Sequence, residues 1–189
     1  MVISMNLKQA IHYFQEAMNS EGIRPEKGLG TEGFRFASTL MPVVNVDLIV
    51  INEKKEFLLS WRDDPHSGTG WHVPGGCIRF METAEERLQK TALTELGTSV
   101  ETSLEPIKVF EIFSRAPREG IENQRERAHF ITLSYLCKAP KGYIIPADKS
   151  QPGTVGSLEW FSTLPENLLP VQDCYRKNWD VIKERIMED

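Results

Sequence analysis

Cysteine is scarce in this 189-residue chain, and Cys77, Cys137 and Cys174 lie far apart. An odd number without metal-ligand spacing argues against a disulfide framework and a thiolate zinc site. A reducing, cytoplasmic setting is the simplest expectation. No apolar run approaches the length of a membrane span, and the N-terminus lacks the basic segment and apolar core of a secretion signal, so no membrane partner is expected. Charge of one sign is also in short supply. With 22 Lys and Arg against 27 Asp and Glu the net charge is −5, which argues against a general nucleic-acid binder. Local basic clusters can still meet a diphosphate. Internal repeats and low-complexity tracts are missing too. What is left, 40% hydrophobic and 26% charged residues, is the make-up of an ordinary globular domain, long enough for a full core and a small appendage.

The most informative stretch is Trp71 to Gly97, WHVPGGCIRFMETAEERLQKTALTELG. Thr83 followed by Glu86 is a capping box, so a helix begins just after Thr83, and Gly97 supplies the left-handed position that ends it. Ala84, Leu88, Ala92 and Leu96 repeat every four residues as the buried stripe. Glu95 lies off that stripe. A glycine–glycine turn packed on such a helix can offer a backbone carbonyl and a carboxylate to one Mg²⁺. Residues 84–96 are therefore expected as one helix, with Glu95 and the Gly75–Gly76 turn facing a common cleft.

Asn6 can cap a helix over about residues 7–19, with Leu7, Ile11, Phe14 and Met18 on its apolar face. Residues 24–33, RPEKGLGTEG, read as a loop. Residues 1–34 form an N-terminal helix-and-loop appendage, and 35–189 the main domain. Val43 to Ile51 is a buried strand, Asn52 to Lys55 a hairpin turn, and Glu56 to Trp61 the partner strand. The loop DDPHSGTG follows, and His66 in it reads as surface. Strands are expected at 106–113, 128–137 and 157–161, and a final helix over about 173–187. Between 114 and 127 a polar loop carries Arg115, Arg118, Arg125 and Arg127. Arginine's planar fork suits phosphate oxygens, and one or two of the four are expected to face a ligand. The element order predicts an α/β sandwich around a mixed β-sheet.

The central stretch resembles the Nudix box. Gly76, Glu82, Glu95 and Gly97 stand at the required spacing, and Ala92 holds the apolar position. Lys90 replaces the pattern's arginine, Thr91 and Thr94 replace two glutamates, and Thr98 replaces the last apolar residue. The GDP-mannose mannosyl hydrolase branch is similarly degenerate. The segments Pro42 to Val50, Glu56 to Arg62 and Gly70 to Gly76 look like that branch.

The resemblance implies a Nudix domain over 35–189, an α/β/α sandwich around a mixed β-sheet, and a Mg²⁺-dependent hydrolase of a nucleoside-diphosphate sugar, GDP-mannose-like, releasing nucleoside diphosphate and sugar. It implies catalytic roles for Arg62 and Glu95. Mg²⁺ would be held by Glu95 with a Gly75 or Gly76 carbonyl, and ligand contacts would come from Asp47, Arg62, Lys90, Arg125 and Arg127. Glu82 would orient the glycine turn, and the N-terminal region would contribute to a homodimer. The branch's late-loop glutamine and histidine base are replaced by Thr154 and Val155, and an arginine after the glycine pair by Cys77. Glu126, His129, Asp148 and Glu159 remain as candidate bases. A catalytically inactive Nudix-fold protein that binds a nucleotide or sugar nucleotide is the alternative. The missing glutamates weigh against an ordinary pyrophosphohydrolase.

Overall fold

The computed structural model describes residues 5–103 and 105–188, so residues 1–4 and 189, at the outer ends of the two sequence-derived spans, and residue 104 lie outside it. Strand β1 (Val43–Ile51) organises the rest, and it is buried continuously from Val46 onward. It runs parallel to β7 (His129–Lys138) along its whole length, from Val43 opposite Phe130 to Ile51 opposite Lys138. A parallel pair at the centre of a sheet must be covered on both faces, which is why its sequence is apolar at nearly every position. Antiparallel to β1 lie β2 (Phe57–Asp64) at one end and β4 (Gly75–Cys77) at the other. Around these, β3 (Gly68–His72) and β8 (Leu158–Phe161) flank β2, while β5 (Glu101–Thr102) and β6 (Lys108–Phe113) flank β7.

Alternation along β1 sends its side chains to two cores. Val46, Leu48 and Val50 pack against Leu88, Ala92 and Leu96, which belong to helix α3 (Ala84–Thr91) and its continuation. Ile49 and Ile51 pack against Tyr175 of α4 (Asp173–Lys177) and Ile182 and Ile186 of α5 (Trp179–Glu188). The result is the α/β/α sandwich around a mixed sheet that the Nudix resemblance implies.

The start of α3 is capped as its sequence requires. Thr83 accepts from the Glu86 N–H, and the Glu86 side chain accepts from the Thr83 N–H. Past Thr91 the helix widens into a π-helical turn, Ala92–Leu96, and Gly97 ends it at φ 75°. A π turn of this kind offsets the helical register by about one residue, and Glu95 lies within it.

Three elements differ from the sequence expectation. Much of RPEKGLGTEG is not loop: a 3₁₀ turn, Pro25–Lys27, leads into helix α2 (Gly30–Ala37), and the 34/35 boundary falls inside that helix. Strand β2 runs on past Trp61, because Asp63 and Asp64 pair with Thr69 and Gly68 of β3. The last helix is broken at Asn178, whose backbone (φ −118°, ψ 16°) is not helical. Helix α1 (Leu7–Ser20) has the expected Asn6 cap but buries no residue, and Leu7 is 76% exposed. Among the described residues no helix is long and apolar enough to cross a membrane.

Candidate active site

The glycine pair on β4 separates two polar groups that need close approach. Side chains alternate across a strand, so a Cβ on Gly75 would point at the Asp47 carboxylate and lie 2.8 Å from the Val46 carbonyl oxygen. A Cβ on Gly76 would point the other way, into the Thr91 hydroxyl and within 3.0 Å of Arg87 Cδ. Only glycine at both positions lets β4 sit between α3 and β1.

Two carboxylates meet at this gap. The Gly75 N–H donates to Glu95, and burial pushes the Glu95 carboxyl up to about 7 against the opposing pull of Arg62 and Lys149. Asp47, 3% exposed, accepts from Tyr175 Oη at 2.6 Å and from Asn45 Nδ2 at 2.8 Å. Burial pushes it to about 7 as well; the Tyr175 hydrogen bond resists this and the Glu95 charge adds to it. A buried chain continues outward, with Ser134 on Tyr175 at 2.7 Å and Thr132 on the Asn45 carbonyl at 2.8 Å.

Glu82 behaves differently. It accepts from Arg87 at 2.7 and 2.8 Å, from Lys90 Nζ at 2.8 Å and from the Arg79 N–H at 2.9 Å. These contacts outweigh its burial and hold its carboxyl down at about 2. Glu82 thus ties the segment before the helix to the helix itself and has no charge to spare.

Asp47, Gly75, Gly76, Arg62 and Arg127 all line a cleft of about 170 Å³, whereas Glu95, behind Gly75, is not among its lining residues. Arg62, on β2, is 3.6 Å from Asp64. Arg127 sits at φ 50°, a left-handed conformation costly for a residue with a side chain. It is held there by a hydrogen bond from its N–H to Ser38 Oγ at 2.9 Å, next to the Arg35–Glu126 ion pair at 2.7 Å. Helix α2 therefore braces the loop that presents this arginine. Arg127 Nε is buried without a hydrogen-bond partner, and the same guanidinium lies 3.9 Å from Asp64 through Nη1.

The structure does not bring every sequence-derived candidate to the cleft. Lys90 is drawn to Glu82 on the outer side of α3. Arg125 is exposed in a tight turn, its N–H on Asn123 Oδ1. Thr91 is buried, and Thr94 donates back to the Lys90 carbonyl, so neither hydroxyl stands in for a glutamate. Of the four candidate bases, Glu126 is bound to Arg35, His129 stacks on Phe113 at 4.4 Å, and Asp148 and Glu159 are exposed; none lines the cleft. His66, read as surface, does line it, as do His72, Cys77, Thr132 and Gln172. Nothing in the local sequence singles these out, because strand pairing and the last helices bring them together.

Hard oxygen donors at a point of uncompensated negative charge suit Mg²⁺. Asp47 and Glu95, both raised to about 7 beside Gly75, make such a point. Among the described residues no group of three or more His, Cys, Asp or Glu is placed to hold a metal. A cation here therefore needs further oxygens from its ligand.

The chain is similar in sequence or in fold to several known proteins. The low-salt glycan biosynthesis protein Agl8 of Haloferax volcanii is 31% identical over 96 residues, which span 50% of this chain and 58% of that protein. The chain thus matches little more than half the length of that relative. A possible asymmetric diadenosine tetraphosphate hydrolase from Jonesia denitrificans superposes with a TM-score of 0.55 at 20% identity, over 78% of this chain and 98% of its own. A UDP-X diphosphatase superposes over 98% of this chain and 84% of its own, with a TM-score of 0.53 at 14% identity. At such identities the two structures share the fold. The NUDIX domain pattern matches residues 41–173, from just before β1 to the start of α4, and the chain belongs to the Nudix family.

Proposed function

We propose that the protein is a Mg²⁺-dependent hydrolase of a nucleoside-diphosphate sugar, GDP-mannose-like, that releases nucleoside diphosphate and free sugar. One observation carries the reading: Glu95 is the lone helix carboxylate at the glycine gap, and Arg62 and Arg127 line the cleft that Asp47 and the glycine pair share. The designation of the Haloferax relative as a glycan biosynthesis protein supports a sugar-bearing substrate.

Attack at phosphorus relies on several clustered carboxylates, which this helix lacks. Substitution at the anomeric carbon asks less. The bond from that carbon to the diphosphate oxygen breaks, and its electron pair leaves with the diphosphate. Arg62 and Arg127 hold the departing oxygens. Water supplies the new bond on the far side, with inversion. Its proton goes to Asp47, the cleft carboxylate near neutrality that is not occupied by Gly75. When bound by Glu95 and a Gly75 or Gly76 carbonyl, Mg²⁺ supplies positive charge against the leaving diphosphate.

Incubation of the purified protein with Mg²⁺ and a panel of nucleotide sugars, followed by chromatography, tests this. The expected products are nucleoside diphosphate and free sugar. Nucleoside monophosphate and sugar phosphate would sink the proposed bond. Binding without turnover would favour an inactive nucleotide-sugar binder, a reading supported by the absence of all four candidate bases from the cleft.

The uncovered stripe of α1 supports a homodimer as part of the same proposal. Leu7 and Ile11 are exposed, and among the described residues Phe14 has its ring contact with Phe36 of α2, at 5.5 Å. Sedimentation should give a dimer that Ile11→Glu splits into monomers; a wild-type monomer at micromolar concentration would remove it.

A further inference from the structure

His72 is the last residue of β3, directly after Trp71; it lines the cleft and is 5% exposed. Its Nδ1 lies 2.7 Å from the Ser60 carbonyl oxygen on β2. A carbonyl only accepts, so Nδ1 carries the proton and Nε2 keeps its lone pair. Nε2, on the far edge of the ring from the backbone, is buried and has no partner in the protein. Burial, helped by Arg62, presses the ring's pKa to about 3, which leaves a neutral imidazole with one unused acceptor.

An unused buried acceptor costs free energy unless something fills it. An ionised diphosphate offers acceptors only, so it cannot. Both neighbouring guanidinium groups turn to Asp64, Arg62 at 3.6 Å and Arg127 at 3.9 Å. The missing partner must be a donor on an uncharged part of the ligand. The cleft encloses about 170 Å³, less than the several hundred Å³ common for whole drug-sized ligands, so it takes one portion of a nucleotide sugar. Asp47 lines the same cleft, which puts the reacting glycosyl group there.

We infer that His72 Nε2 accepts a hydrogen bond from a sugar hydroxyl of the substrate, making His72 the residue that reads the glycosyl group. This rests on the nucleotide-sugar reading above. Arg62 and Arg127 answer to the diphosphate that every nucleotide sugar carries, whereas His72 answers to one hydroxyl and separates sugars that differ there.

The test is equilibrium binding of GDP-mannose, its monodeoxy-mannose analogues and GDP to the full chain and to His72→Phe and His72→Gln. Phenylalanine keeps a ring but offers no acceptor; glutamine reaches a carbonyl oxygen to about the place of Nε2. His72→Phe should bind GDP-mannose about tenfold more weakly and GDP unchanged. One deoxy analogue should bind wild type and His72→Phe alike, and His72→Gln should recover part of the loss. Equal affinity of wild type and His72→Phe for GDP-mannose would overturn the inference alone. An equal loss for GDP and GDP-mannose would move the donor to the ribose or base and overturn the sugar assignment. Failure of wild type to bind any nucleotide sugar would overturn the nucleotide-sugar reading and this inference with it. Ligand-dependent movement of the His72 Nε2 nitrogen resonance gives an independent readout, since loss of fold cannot imitate it in the wild type.

Discussion

Glu95→Gln should lower kcat for nucleotide-sugar hydrolysis by about 10²- to 10³-fold, the size expected when one preorganised charge-handling group is lost, while the metal-free protein becomes more stable at pH 8. The two effects have one cause. Folding raises the Glu95 carboxyl from 4.5 to about 7, so the folded state prefers it protonated. The stability tied to that proton is fully present below about pH 4.5 and is lost as pH rises through about 7. The cost of keeping the carboxylate ionised is on the order of 3 kcal/mol at pH 8. Asp47 shares the gap and also sits near 7, so the two titrate as a pair. Metal-free wild type should therefore lose several degrees of melting temperature between pH 5 and pH 8, and Glu95→Gln less. Mg²⁺ with a diphosphate ligand should restore the wild type at pH 8, and should add less to the variant, which keeps the arginines but not the metal-holding carboxylate. A variant that is both inactive and less stable at pH 8 would mean that Glu95 serves packing.

Gly75→Ala should destabilise the fold by about 3 kcal/mol, the upper end of the range for overfilling a packed site, measured by urea unfolding. The new methyl would meet the Val46 carbonyl oxygen at 2.8 Å and the Asp47 carboxylate. The first is backbone in the central strand and cannot swing aside, because β1 is tied to β7 along its length. The variant should also lose activity beyond what instability explains, since the methyl pushes between Asp47 and the Glu95-bound N–H. A stable, fully active Gly75→Ala would show that β4 does not divide the two carboxylates.

The parts of this molecule written in short stretches of sequence were legible. The Thr83–Glu86 box and Gly97 fix both ends of one helix through hydrogen bonds three or four residues long. The apolar run of β1 announces a strand covered on both faces. Helix α2 was not legible, because Gly30 and Gly33 argue against a helix locally; Gly33 is nonetheless buried, with Leu29 Cβ only 3.2 Å from where its own Cβ would be. The choice among the loop arginines also lay beyond the sequence. Arg125 and Arg127 are two residues apart, and the left-handed backbone at Arg127, held from Ser38, turns one of them into the cleft. The Lys90 ammonium faces Glu82 because that carboxylate is already enclosed by Arg87 and the Arg79 N–H. His72 was silent for a similar reason: its tautomer is set by Ser60, twelve residues back and across a strand pair.

The most direct measurement is the position of ¹⁸O after turnover of a nucleotide sugar in labelled water. A single helix carboxylate, with two arginines in the neighbouring cleft, suits departure of an intact diphosphate from the anomeric carbon. The label is expected in the free sugar, with none in nucleoside diphosphate. Label in a phosphate product would place the attack at phosphorus and contradict the account.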